Sequence, residues 1–94
     1  MMYLLLFESD PALLPKDMDE KKKQWLGGIA MFKEEMKNGN ITAMGLSVSG
    51  NKGFILTNQS AKQVFAKRLQ NLAVNSKVIP MLSLEEAEDV IKEL

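Results

Sequence analysis

The sequence predicts an α+β domain. A four-stranded antiparallel sheet is covered on one side by two helices, in the order β-α-β-β-α-β, and a further helix follows. Three observations carry this expectation. Segments with apolar residues three and four apart alternate with short runs that are apolar throughout or at every second position. Each helical segment opens on a cap signature, a Ser or Asp followed three residues later by Glu or Gln. Two runs, Tyr-Leu-Leu-Leu-Phe at 3–7 and Phe-Ile-Leu at 54–56, are apolar on both alternate faces and therefore belong in the middle of a sheet.

The first strand is expected over Met2–Glu8. A loop follows with two breakers, Asp10-Pro11 and Leu14-Pro15. The first helix starts at Asp17, whose spacing to Glu20 is that of a cap, and presents Met18, Trp25, Ile29, Phe32 and Met36 on one face. Asn38-Gly39 ends it, because glycine adopts the left-handed conformation that closes a helix. Gly27-Gly28 in its middle is read as close packing on the sheet, with room for a ligand beside Trp25 as the sharper alternative. The second strand is expected over Ile41–Val48 and the third over Phe54–Thr57, joined by the turn residues Ser-Gly-Asn-Lys-Gly. Ser60 and Gln63 form the box of the second helix, with Ala61, Phe65, Leu69 and Leu72 as its stripe and Val64 alongside. The fourth strand spans Lys77–Leu82, and Ser83 with Glu86 opens the terminal helix, whose apolar residues include Leu84, Ala87, Val90, Ile91 and Leu94.

This order matches a ferredoxin-like plan, with strand order 4-1-3-2 and a single domain over residues 1–94. Pro80 then falls on an edge strand, where its missing N–H costs no ladder bond. If Val48 pairs with Phe54, Met44, Leu46, Val48, Phe54 and Leu56 share the face toward the helices. Ala43, Gly45, Ser47, Ile55 and Thr57 share the other.

Composition narrows the function classes. The 94 residues carry 12 basic and 12 acidic side chains, a balance that argues against a nucleic-acid partner. With no cysteine there is no disulfide or thiol chemistry, and with no histidine no Ser-His triad. No metal-ligand spacing, phosphate loop or nucleotide fingerprint occurs, so no cofactor is expected. No apolar run reaches the ~18 residues of a membrane span, and the N-terminal run lacks the basic flank of a signal peptide. The expectation is a cytoplasmic protein with no membrane partner. The seven methionines are read as core filling.

The first strand raises a question of assembly. Neither Tyr3, Leu5 and Phe7 nor Leu4 and Leu6 with Glu8 makes a polar face, so cover on both sides is expected. A second copy of the chain is the natural source, which predicts a homodimer. The YLLLFES start, the Trp25 helix, the hairpin with Gly45 and Gly53 and the VIPMLS strand resemble the dimeric α/β-barrel superfamily, in particular its small members related to muconolactone isomerase. The likeness spans nearly the whole chain and rests on element order and patterning. It implies that two such sheets face each other as a barrel, with small ligands held inside it or between sheet and helices. The histidine that haem-degrading relatives use is absent here, and so is the His-Asp pair of other relatives.

Candidate chemistry centres on Glu8, the first polar residue after the apolar run. Near a cavity it is a general base for moving a proton beside a carbonyl; its plainer reading is a solvated strand end or a lysine's partner. Tyr3, Trp25, Ser47, Ile55 and Thr57 are the candidate ligand-pocket residues, each with packing or strand structure as its plainer reading. Lys21-Lys22-Lys23 is read as a solvated face paired with Asp17 and Asp19. The basic second helix and the acidic terminal helix form an opposite-sign pattern suited to docking. Three readings result: a homodimer binding a small organic molecule without catalysis, a cofactor-free isomerase or lyase acting on a small organic acid or ketone through Glu8, and a structural interaction protein.

Overall fold

The computed structural model describes residues 1–9, 12, 15–70 and 74–94, with side chains for all of these except 70, 74 and 75. Strands β1 (Met2–Ser9), β2 (Ala43–Leu46), β3 (Lys52–Thr57) and β4 (Val74–Met81) alternate with helices α1 (Met18–Lys37), α2 (Ala61–Gln70) and α3 (Leu84–Lys92). The chain runs β1-α1-β2-β3-α2-β4-α3. The breakers Asp10, Pro11 and Leu14, and Leu72 of the second helical stripe, lie outside the described residues.

The helix ends follow local hydrogen-bond demand. The Asp17 carboxylate accepts from the Glu20 N–H at 3.2 Å, and α1 closes through Asn38 into Gly39 at φ 80°. Before α2, the Ser60 N–H donates to Gln63 Oε1 at 3.0 Å and the Gln63 N–H to Ser60 Oγ at 3.3 Å. Ser83 and Glu86 make the same reciprocal pair before α3. The pairs Asp17–Lys21 and Asp19–Lys23, expected to neutralise the lysine run, are not among the ion pairs of the described residues; the Asp17 carboxylate serves the cap instead.

The sheet is an open four-stranded one in the order β2-β3-β1-β4, with every neighbouring pair antiparallel. It is compatible with a ferredoxin-like plan, and the doubly apolar strands β1 and β3 are the central ones. Pro80 pairs with Tyr3 on the edge strand β4. The expected hairpin register is wrong. Met44 faces Ile55 and Gly45 faces Phe54, so β2 ends at Leu46 and Val48 stands fully exposed in the turn. The turn is closed earlier than bulk matching suggests. Gly50, at φ 82°, donates to the Ser47 carbonyl at 2.9 Å, while Ser47 and Lys52 exchange backbone and hydroxyl bonds. Beyond the other end of β2, Ile41 lies outside the strand and is buried.

That register exchanges the two expected faces. Tyr3, Leu5, Phe7, Met44, Ile55 and Thr57 share one side of the sheet; Leu4, Leu6, Ala43, Gly45, Phe54 and Leu56 share the other. Each side carries an aromatic over a glycine. A Cβ on Gly45 would lie 2.7 Å from the Phe54 ring, and one on Gly53 would meet the Phe7 ring and the Gly45 carbonyl oxygen at 2.8 Å.

Helices α1 and α2 attach to the Tyr3 side. Helix α2 packs against Tyr3 and Val78. The end of α1 is tied to α2 by Lys67–Glu35 at 3.1 Å, and its following turn to the sheet by the Thr57 hydroxyl, which donates to the Asn40 carbonyl. Burial is sparse: among the described residues Ile41, Val64 and Thr57, at 3–6% exposure, are the buried ones. The α1 face expected to pack is largely open, with Met18, Trp25, Ile29 and Met36 exposed. Gly27 and Gly28 mark no close approach, since a Cβ on either meets nothing within 4 Å. The accessible surface is 7395 Å², against about 5,400 Å² for a folded monomer of this mass. The radius of gyration is 15.6 Å, against about 12.4 Å for a compact domain of this length.

Candidate functional site

A cleft of about 170 Å³ lies between α2 and the sheet. Ala61, Val64, Phe65 and Arg68 line it from α2, and Tyr3 and Val78 from β1 and β4. The four helical positions fall at i, i+3, i+4 and i+7, one face of a helix whose start is set by the Ser60–Gln63 box. Val78 and Tyr3 are on the same side of the sheet because Val78 pairs with Leu5. Arg68 Nη2 donates to the Ser76 carbonyl of β4 at 2.8 Å, which anchors the guanidinium beside the apolar floor. At about 30 Å³ per water, the volume suits a ligand of a single ring or a short branched chain.

The electrostatics around the cleft are cationic. Helix α2 carries Lys62, Lys67 and Arg68 and no acidic residue. Lys67 is engaged by Glu35, whose carboxyl is held below the usual carboxylate range by the Asn40 side-chain amide at 2.8 Å and then by the Lys67 ammonium. At the start of β1, Glu86 is likewise held low, first by the Ser83 backbone N–H and then by the Met1 ammonium at 3.0 Å.

The candidate residues from sequence separate into groups. Tyr3 lines the cleft. Ile55 and Thr57 share its side of the sheet, but the Thr57 hydroxyl donates to the Asn40 carbonyl and accepts from the Gln59 N–H at 3.1 Å, a structural clamp. Ser47 sits in the hairpin, where its hydroxyl accepts from the Lys52 N–H. Trp25 stands half-exposed on α1 and is not among the cleft's lining residues. Glu8 is exposed on the other side of the sheet, opposite Lys52 and Asn75 in the ladder. Glu8 and Tyr3 are thus on opposite sides.

Sequence reading missed Arg68 and Val78 as site residues and took Ala61, Val64 and Phe65 for core. The signal was present in one place: Arg68 follows Val64 by four residues, which sets a guanidinium on the inward stripe of α2. Among the described residues the lining offers an apolar body with two polar groups, Tyr3 and Arg68, and no carboxylate to act as a base. No group of three or more acidic residues among those described is placed to hold a metal ion, and no helix among them is long and apolar enough to cross a membrane. Comparison with protein-family models, with curated proteins and with solved structures finds no match to this chain.

Proposed function

We propose that the chain works as a homodimer, the open sides of two sheets closing on each other as a dimeric α/β barrel, and that it binds a small, largely apolar organic molecule between sheet and α2 without catalysing its conversion. The observation that carries this reading is the surface excess of the single chain, about 2,000 Å² over a compact monomer. That is the scale one partner hides in an obligate interface, which buries about 2,000–5,000 Å² in total. The open side supplies apolar area to hide: Leu6, Phe54, Ile79 and Met81 are each 38–40% exposed. The resemblance to the barrel superfamily supports the same arrangement.

The binding half of the proposal rests on the cleft, whose apolar floor and two polar groups suit a ring bearing one polar substituent. None of the described lining residues is a carboxylate, which favours binding over turnover. Light scattering should give twice the 10.5 kDa chain mass, and the melting temperature should rise with protein concentration. A stable monomer at micromolar concentration would overturn the dimer. Benzoate serves as the probe for the cleft: amide shifts should cluster at Tyr3, Val64 and Val78 and vanish in Ala61→Phe, which fills the cleft from the first turn of α2. Shifts scattered over the surface, or unchanged in that variant, would overturn the site.

A further inference from the structure

We infer that α3 of one copy docks along the exposed Phe65–Leu69 flank of α2 of the second copy, so that the dimer is held by two reciprocal helix pairs as well as by its sheets. The inference rests on the dimer reading above and adds a contact to it. Helix α3 is strongly amphipathic, yet its apolar stripe is uncovered: Leu84, Val90, Ile91 and Leu94 are 52–99% exposed. Its attachments lie at its beginning, through the Ser83 cap and the Met1–Glu86 pair. Helix α2 turns Val64 to the sheet and leaves Phe65, at the rim of the cleft, 63% exposed and Leu69 53% exposed along one flank, one helical turn apart.

Charge selects between the possible seats. The polar flanks of α3 carry Glu85, Glu88 and Asp89, with Glu93 just beyond, against Lys92 alone. Helix α2 has three basic residues and no acidic one, whereas α1 mixes both signs almost evenly. Lys67 is tied to Glu35 and Arg68 to the Ser76 carbonyl, which leaves Lys62, seven residues before Leu69 and on its flank, to meet the acidic flank of α3. The apolar stripes supply most of the attraction and the charges choose the partner and register. A two-fold axis makes each contact occur twice.

The chain has no cysteine, which makes crosslinking a clean test. Leu69→Cys and Ile91→Cys, made in separate chains, refolded together and oxidised, should yield a covalent mixed dimer, with little crosslinking in either variant alone. A dimer by light scattering that forms no mixed disulfide would overturn the α2–α3 contact and leave the dimer standing. A monomeric mixture would overturn both. Both substitutions in one chain should likewise crosslink between chains; an intramolecular bond in a monomer would show α3 packing on its own α2 and overturn the inference. As a check that needs no disulfide, Lys62→Glu should weaken dimerisation about two- to fivefold, and Asp89→Lys added to it should restore the affinity. A double variant no tighter than the single one would count against the pairing.

Discussion

The two sides of the sheet are built by the same four strands and end in different circumstances. On one side Tyr3 and Val78 face α2, with Leu5 and Ile55 on the same side, Thr57 is buried and Val64 reaches down from the helix. On the other, Leu6, Phe54, Ile79 and Met81 remain 38–40% exposed although they alternate with the first set along the same strands. Period-two alternation normally sets apolar against polar, so one side of such a strand asks for cover and the other for water. Here both ask for cover, and the chain's own helices supply it to one. The contrast shows that apolar patterning specifies how much cover a sheet needs without specifying whose chain provides it.

The sharpest way to break that contrast is to place the same charge on neighbouring residues of β1. Leu5→Lys sets an ammonium on the side that Tyr3 and Val78 turn to α2 and should unfold the chain, with a loss of about 4 kcal/mol or more. Leu6→Lys sets it on the open side and should halve the mass by light scattering while the circular dichroism of the sheet persists. Equal behaviour of the two variants would remove the distinction between the sides. Val64→Ala, on the covered side, should cost about 2 kcal/mol in denaturant unfolding at fixed protein concentration and leave the mass unchanged. Gly53→Ala comes next, at about 1–3 kcal/mol, because the new methyl meets the Phe7 ring and the Gly45 carbonyl, and a backbone oxygen yields less than a side chain.

Gly27→Ala tests whether α1 is free over its middle. Nothing stands within 4 Å of the added Cβ, so the variant should be more stable by up to about 1 kcal/mol in thermal melts; a loss would mean that a second copy packs closely there. The smallest effect concerns Glu35. Its carboxyl is held below the usual range in the folded chain, so the unfolded chain binds more protons between the two values. The stability it contributes is complete above the ordinary carboxylate value and is lost as pH falls through the lowered folded value. Glu35→Gln should therefore flatten the acid limb of a stability–pH profile and leave its neutral plateau slightly lower. An unchanged acid limb would show that the Asn40 and Lys67 contacts carry no linkage.

Much of the architecture was legible because it rests on local chemistry. Asp17, Ser60 and Ser83 cap helices because a short oxygen-bearing side chain there satisfies an amide that has no partner within the helix. Tyr3–Phe7 and Phe54–Leu56 took the centre of the sheet, and Pro80 an edge, for reasons that also travel with the residues themselves. Tyr3 was legible from its hydroxyl as a candidate ligand contact, with core packing as its plainer reading. Its companions were not, because Arg68 and Phe65 meet Tyr3 only once α2 crosses above β1 and β4.

The sequence by itself determined the elements, their caps, the order of the strands and the excess of apolar surface. Only the tertiary structure decided which residues share a side. Pairing Val48 with Phe54 maximises bulk on one face, whereas the turn at Gly50 and the Ser47–Lys52 closure carry Val48 out of the ladder and put Met44, rather than Ala43 and Gly45, on the side of Ile55. The physical reason is that alternation is blind to an odd-numbered shift in pairing, which preserves every local preference and exchanges the faces of β2 relative to β3. The hydrogen bonds that settle the shift join residues across a turn, and they exist only after the chain has folded back.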